Sequence, residues 1–495
     1  MKKSILFTIL IFWSSNIFCQ KVYDFDLQSQ QAYKDICQLK IESAVEHINK
    51  AKQTNPNNLI PIYLESYIDL IELFFNEDLV EYKKRKDDID ERISQLKKGN
   101  KNSALYQFCL SNAYLHKSII HVRYDENLSG AWAARKAFML IKDNKEEFKT
   151  FSPNDMLYGS LQAITGTIPK SYNWIASILG MKGSIKEGMK NLKSFVKNND
   201  SWGGFFSEEA TFYYTYLAYY IENKKEETLD HIQNGNLDLV NNHLFAFMAT
   251  NIGINGKKTD FAKSVILNRN KSSEYLQTSV WDMQMGFAKL HKLELNEAIA
   301  FFEKYLSNFK GNFYLKDIYQ KLSWAYYLQG NLPAAQHARA LVISKGGTNS
   351  DADKQALKEA KENTWPNTLL LKARLLNDGG YNTEALKLLN NKTLNNFEKT
   401  EEKLEFVYRL ARIYDDNGND EEAINYYKKA IEVGSTRKEY FAARSALQTG
   451  LIYEKQANKT LAIQYFNQCI AMDDHDYKSS LDQKAKSGIS RCKGE

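Results

Sequence analysis

Few residues of the 495-residue chain have both the type and the spacing that chemistry needs. His116 and His121 are five positions apart, which turns them off a common helix face, so they do not make a helical zinc pair. No His-Glu-x-x-His occurs, and the other histidines are scattered. Gly256-Lys257-Lys258-Thr259 resembles a phosphate loop only in part. Asn251 stands where the upstream glycine belongs, and Lys258 stands where a hydroxyl would hold magnesium. There is no Gly-x-Ser-x-Gly elbow and no Gly-x-Gly-x-x-Gly turn. Glu208-Glu209 and Asp415-Asp416 fall at helix ends, where capping or solvation accounts for them. The chain therefore predicts no enzymatic activity, no catalytic residue, no cofactor and no metal, and attention moves to binding.

Hydrophobic residues make up 43% of the chain and charged residues 25%, an ordinary globular balance with ample core material. No sustained alternation of apolar and polar residues occurs, so the elements should be helices throughout. The six prolines fall in loops or first helical turns. A net charge of +6, reduced by two without Lys2 and Lys3, is small for this length. The run KKRKDDIDER, Lys83 to Arg92, mixes both signs and reads as a solvated helix face, not a nucleic-acid surface.

Lys2 and Lys3 precede an apolar run, Ile5 to Trp13, followed by small polar residues and Ile17-Phe18-Cys19-Gln20. That is the layout of a secretory signal peptide cleaved after Cys19, too short to span a bilayer. Phe18 is a poor residue before a lipidated cysteine, so lipidation at Cys19 is not expected. No later segment is long and apolar enough to cross a membrane. Of the remaining cysteines, Cys469 and Cys492 lie on successive predicted helices, offset by about 10 residues or about 15 Å. A disulfide needs Cα atoms within about 7 Å, so Cys37, Cys109, Cys469 and Cys492 should be buried thiols.

Helical patterns begin at about Leu27, with Ala44, Ile48, Ala51 and Pro56 at the spacing of a repeat's second helix, and continue over 59–75, 79–98, 104–122 and 129–141. In the segment 79–98 the thin apolar stripe is Leu79, Ile89, Ile93 and Leu96. Residues 151–275 are less regular. Helices are expected from Pro153, from Pro169 to Leu179, over 185–196, from Ser207 as N-cap, over 237–250 and over 259–267, with a loop over 198–206. The aromatic stripe Phe212, Tyr216, Tyr219 and Tyr220 reads as core.

From residue 276 a pattern recurs in phase. Alanines recur at 298, 335, 385, 423 and 462, and Gly286, Gly330, Gly380 and Gly450 mark four of these units. The clearest copy is YRLARIYDDNGNDEEAINYYKKAIEVG, Tyr408 to Gly434. Leu410, Ala411 and Tyr414 precede its Gly418 turn, and Ala423, Tyr427 and Ala430 follow it. These residues resemble the tetratricopeptide repeat, a helix–turn–helix unit of about 34 residues. Residues 155–345 are more loosely similar to the eukaryotic inclusion-body-clearance group of that family, and LLLKARLLNDGGYNTEALKLL to exported repeat proteins of Bacteroidetes. The resemblance implies an all-α, tetratricopeptide-like solenoid of helical hairpins in a right-handed superhelix, irregular in its N-terminal half. The expected divisions are a signal peptide at 1–19, an N-terminal helical region at 20–150, an irregular region at 151–275, repeats at 276–478 and a capping helix at 479–495.

Tetratricopeptide proteins hold a peptide or protein in the groove lined by the first helix of each repeat. Carried over residue by residue, that groove is Gln320, Trp324 and Tyr327; Arg374 and Asn377; Tyr408, Arg412 and Asp415; and Arg444 and Gln448. The arginines would clasp carboxylates, and Trp324 with Tyr327 would anchor an apolar side chain. Arg374 with Asp378, and Arg412 with Asp416, are also i,i+4 pairs able to satisfy one another. Val280, Met283 and Phe287 stand at groove positions of the earlier repeat, which should be filled by neighbouring helices. The expected protein is a non-catalytic scaffold, exported to the periplasm or the inner face of an outer membrane, that binds protein or peptide and no nucleic acid. A carbohydrate or small-ligand binder, or a helical-barrel polysaccharide enzyme, are the alternatives.

Overall fold

A computed structural model describes residues 21–167, 180–362 and 364–494. The expected leader and the expected helix 169–179 lie outside the described residues. Twenty-five α-helices and one short 3-10 turn account for nearly all of the rest, with no β-strand among the described residues. No helix among them is long and apolar enough to cross a membrane.

The repeating half is a series of hairpins: Val280–His291 with Leu295–Asn308, Leu315–Leu328 with Leu332–Ser344, Thr368–Asp378 with Asn382–Leu389, Thr400–Asp416 with Asp420–Gly434, and Phe441–Lys455 with Lys459–Ala471. Small residues set the helix crossings. Ala298, Ala335, Ala385, Ala423 and Ala462 are all fully buried. A Cβ on Gly286 would stand 2.6 Å from the Phe302 ring, and one on Gly450 2.6 Å from the Phe466 ring, so a side chain at either place would force the hairpin apart. The turn glycines Gly330, Gly380 and Gly418 have φ of +83°, +86° and +76°, where a Cβ is penalised. Helix Lys478–Lys493 covers the last hairpin, whose apolar face would otherwise meet water. Helix Asp351–Lys361, capped by Ser350, fills the long interval between two repeats.

The N-terminal half packs by the same rule with less regular pieces, and its first helices close onto the middle of the chain. Leu276 N donates to Leu39 O at 2.8 Å and His243 N to Gln38 O at 3.2 Å. Glu77, buried, accepts from Asn312 N at 2.9 Å and Phe313 N at 3.1 Å. The array is thus bent far enough for distant turns of it to touch.

Several boundaries differ from expectation for local reasons. Residues 201–205 form a short helix because the Asp200 carboxylate caps Gly203 N at 2.6 Å. It runs into the aromatic helix Ser207–Tyr220, so Ser207 is the first helical residue and not its cap. The next expected helix starts later, at His243. Asp238 takes Val240 N and Asn241 N in a turn, and Asn242 caps Phe245 N. Leu79 is exposed, and Tyr82 takes its place in the buried stripe. Cys37, Cys109, Cys469 and Cys492 are free thiols and buried.

His116 and His121 are both buried. His116 Nδ1 lies 2.9 Å from Ser66 Oγ, and burial pushes its pKa down to about 3. In the unfolded chain it titrates near 6.5, so protons favour the unfolded state below that pH. Its contribution to stability is complete above pH 6.5 and falls as pH drops towards 3, by roughly 1.4 kcal/mol per pH unit. The His116 ring resonances should therefore stay in the neutral position from pH 8 to 5 in an NMR titration. A midpoint near 6.5 would contradict the packing.

Candidate partner-binding cleft

Helix Leu315–Leu328 presents Gln320, Trp324 and Tyr327 one turn apart, as expected for a groove face. Packing engages all three. Gln320 Nε2 donates to Glu359 Oε2 at 2.6 Å, so the inserted helix Asp351–Lys361 lies against this face. Trp324 is 5% exposed, its ring carrying Lys321 Nζ at 4.2 Å and the Arg374 guanidinium at 4.9 Å. Tyr327 stacks on Trp365 with centroids 4.5 Å apart. Arg374 is 3.7 Å from Asp378. Burial alone would lower its pKa, but Tyr440, Glu359, Asp378 and Glu405 outweigh burial and hold it above the usual arginine value.

Of the expected groove residues, Trp324 and Arg374 border an open cleft of about 600 Å³, and Gln320 and Tyr327 do not line it. Trp324, Trp365 and Arg374 form one wall, and Tyr440, Phe441 and Tyr477 another. Seven carboxylates, among them Glu359, Glu401, Glu402 and Glu405, line it against four cations. Tyr477 reaches it because the last hairpins return to the inserted helix, where Lys358 pairs with Asp476. Trp365, Tyr440 and Tyr477 lie outside the repeat register, so the family pattern could not select them. The polar inserted helix that carries Glu359 was their only forewarning.

The next part of the expected groove is occupied by the chain itself. Tyr408 is 4% exposed, packed on Phe441 at 5.0 Å and Tyr440 at 6.2 Å. Asn377 is 2% exposed, donating to Asn382 Oδ1 at 2.8 Å and Asp416 Oδ2 at 2.7 Å and accepting from Lys257 Nζ at 3.1 Å. Arg412 is spent on Asp415 at 3.2 Å and Asp416 at 3.3 Å. Asp415 accepts from Tyr427 Oη at 2.8 Å and from Gln448 Nε2 at 3.3 Å. Lys257 also pairs with Asp416. Tyr408, Asn377, Arg412 and Asp415, all expected on the groove face, are thus already engaged within the chain. Tyr408, Arg412 and Asp415 are taken up by their own hairpin and the next one, whereas Asn377 meets the distant turn at Lys257, whose carbonyl would lie 2.0 Å from a Cβ on Gly380. Arg444 is half-buried, its Nε sealed without a hydrogen-bond acceptor among the described residues. Burial and the nearby Arg412 and Arg444 push the Lys225 pKa down.

Fold and cleft define an all-α solenoid of helical hairpins. Within it, residues 404–433 and 443–476 match the tetratricopeptide repeat family model. No curated protein matches the chain significantly. Among solved structures it is similar to the tetratricopeptide domain of P58(IPK), at 14% identity over 84% of this chain and 96% of that one, with a TM-score of 0.23. It is also similar to a chain of the Cut9–Hcn1 hetero-tetramer of the APC/C, at 11% identity over 93% and 95%, with a TM-score of 0.25. Neither superposes closely enough to carry the argument further.

Proposed function

We propose that the protein is a non-catalytic, exported scaffold that binds a protein segment in the cleft between Trp324 and Tyr440. The observation that supports this reading is the lining itself. Aromatic walls offer an anchor for an apolar side chain, and an excess of carboxylates favours a partner carrying Lys or Arg. The charge preference is opposite to the one expected from the groove arginines, because Arg374 is already compensated by Asp378, Glu359 and Glu405.

A displayed random-peptide library selected on the chain from Gln20 onward should enrich sequences pairing an aromatic residue with Arg or Lys. Their affinity should drop about ten-fold in the double variant Glu362→Lys, Glu402→Lys, consistent with two mostly exposed charge contacts of up to about 1 kcal/mol each. Enrichment of acidic peptides, or an unchanged affinity, would remove the cleft from the reading. Export rests on residues 1–19, and the protein recovered outside the cytoplasm should begin at Gln20. An N-terminus at Met1 would count against export.

A further inference from the structure

A second cavity, of about 560 Å³, lies far along the chain from the cleft, and Val280 and Met283, at groove positions of the first regular repeat, form part of its wall. Its walls come from the N-terminal helices, the aromatic helix Ser207–Tyr220, helix His243–Asn255 and the first regular hairpin. Phe75, Phe212, Phe247 and Met283 make its lining apolar, and its size is that of a small-molecule site. Phe212 and Tyr216, expected as core, are only half-buried because they face this space.

The polar groups on this wall are arranged to donate. The Arg123 guanidinium is clamped between the rings of Phe74, at 4.6 Å, and Phe313, at 4.1 Å, with its Nε turned to Glu77. Its side chain is 17% exposed, and its two Nη groups have no hydrogen-bond acceptor among the described residues. The hydroxyls of Tyr216 and Tyr305, also on the wall, likewise have no partner among the described residues and are not sealed from solvent. The carboxylate on the lining, Glu209, already accepts from three tyrosine hydroxyls. Burial pulls the Arg123 pKa below the usual arginine value despite Glu77, so a second negative charge would be welcome.

We propose that this cavity binds a small monocarboxylate with an apolar tail, its carboxylate on the Nη edge of Arg123 and its tail among Phe75, Phe212, Phe247 and Met283. A planar two-oxygen acceptor matches the guanidinium fork. Because Arg123 already faces Glu77, a phosphate dianion would leave twice the uncompensated negative charge that a monocarboxylate leaves. The guanidinium charge of Arg123 disfavours a basic ligand beside it. The site stands apart from the peptide cleft and is independent of that reading.

The test titrates the chain from Gln20 onward with decanoate and with decanol, both below their aggregation limits, by calorimetry. Decanoate should bind with one site per chain, about ten-fold or more tighter than decanol, the margin of a charge-assisted hydrogen-bond pair. Arg123→Lys keeps a charge for Glu77 but loses the fork, and should weaken decanoate about ten-fold while leaving decanol unchanged. Met283→Trp fills the cavity and should abolish both, with circular dichroism and the unfolding midpoint unaltered. Equal affinity for the two ligands, no saturable binding of either, or full binding by a folded Met283→Trp would overturn the proposal. The comparison of ligands on the unsubstituted chain decides the matter even where a variant fails to fold.

Discussion

Phe466→Ala is expected to cost about 3–5 kcal/mol, the range for emptying a rigid aromatic core site, and to release the end of the array. Phe466 is fully buried, and the two helices that flank it present glycines to its ring. A Cβ on Gly450 would lie 2.6 Å from the ring, and one on Gly488 2.5 Å. Glycines have no side chain to swing into the space left behind, so the cavity cannot collapse without moving whole helices. In a repeat array each unit is held chiefly by its neighbours, so the loss should be local. Hydrogen exchange should show residues 441–493 opening at low urea while helix Leu315–Leu328 keeps its protection. A cost below about 1 kcal/mol would mean that the helices close over the gap and that the glycine contacts are not rigid.

Glu209→Ala should be as damaging in the other half of the molecule. Glu209 is 4% exposed and accepts from Tyr33 Oη at 2.5 Å, Tyr213 Oη at 2.7 Å and Tyr67 Oη at 3.1 Å. The three tyrosines come from two further helices and from its own, so one carboxylate joins Leu27–Cys37, Ile60–Asn76 and Ser207–Tyr220. Alanine strands the Tyr33 and Tyr213 hydroxyls, while Tyr67 keeps its contact with Tyr63 Oη at 3.0 Å; at about 1–3 kcal/mol each, a total loss of about 2–5 kcal/mol is expected by urea denaturation. Glu209→Gln keeps an acceptor and should cost much less. Burial raises the Glu209 pKa above its ordinary value, the tyrosine hydrogen bonds only partly opposing it. The native state therefore holds its proton to higher pH than the unfolded chain does. Its contribution is most favourable below the unfolded value, near 4.3, and declines as pH rises through the folded value. Glu209→Gln should remove that decline. If the alanine variant is as stable as the glutamine variant, the tyrosines have found other acceptors.

Glu209 also shows how far one-dimensional reading reached. As the second of two acids in a first helical turn it was explained by the helix end alone. Nothing local announces that Tyr33 and Tyr67, more than 140 positions away, point at it. The alanines of the repeats were legible because their spacing is imposed by one helix pair folding on itself, and all five sit in the crossings where that pattern placed them. The arginine pairs were legible for the same reason, since i,i+4 partners meet wherever the helix goes. Tyr408 and Asn377 were misjudged because a groove position says only that a residue faces inwards. What it meets there is a matter of tertiary packing: Tyr440 and Phe441 of the next repeat cover Tyr408, and the Lys257 turn reaches Asn377.

Local patterns therefore determined the helices, their hairpin pairing and the small residues at each crossing, because those follow from periodicity and sterics within some forty residues. Only the tertiary structure decided which inward faces stay open. Superhelical curvature accumulates over many units, and small rotations at each crossing add until residue 257 meets residue 416 and residue 77 meets residue 312. That sum brought the Lys257 turn onto Asn377 and left the acidic aromatic cleft and the aromatic cavity at Arg123.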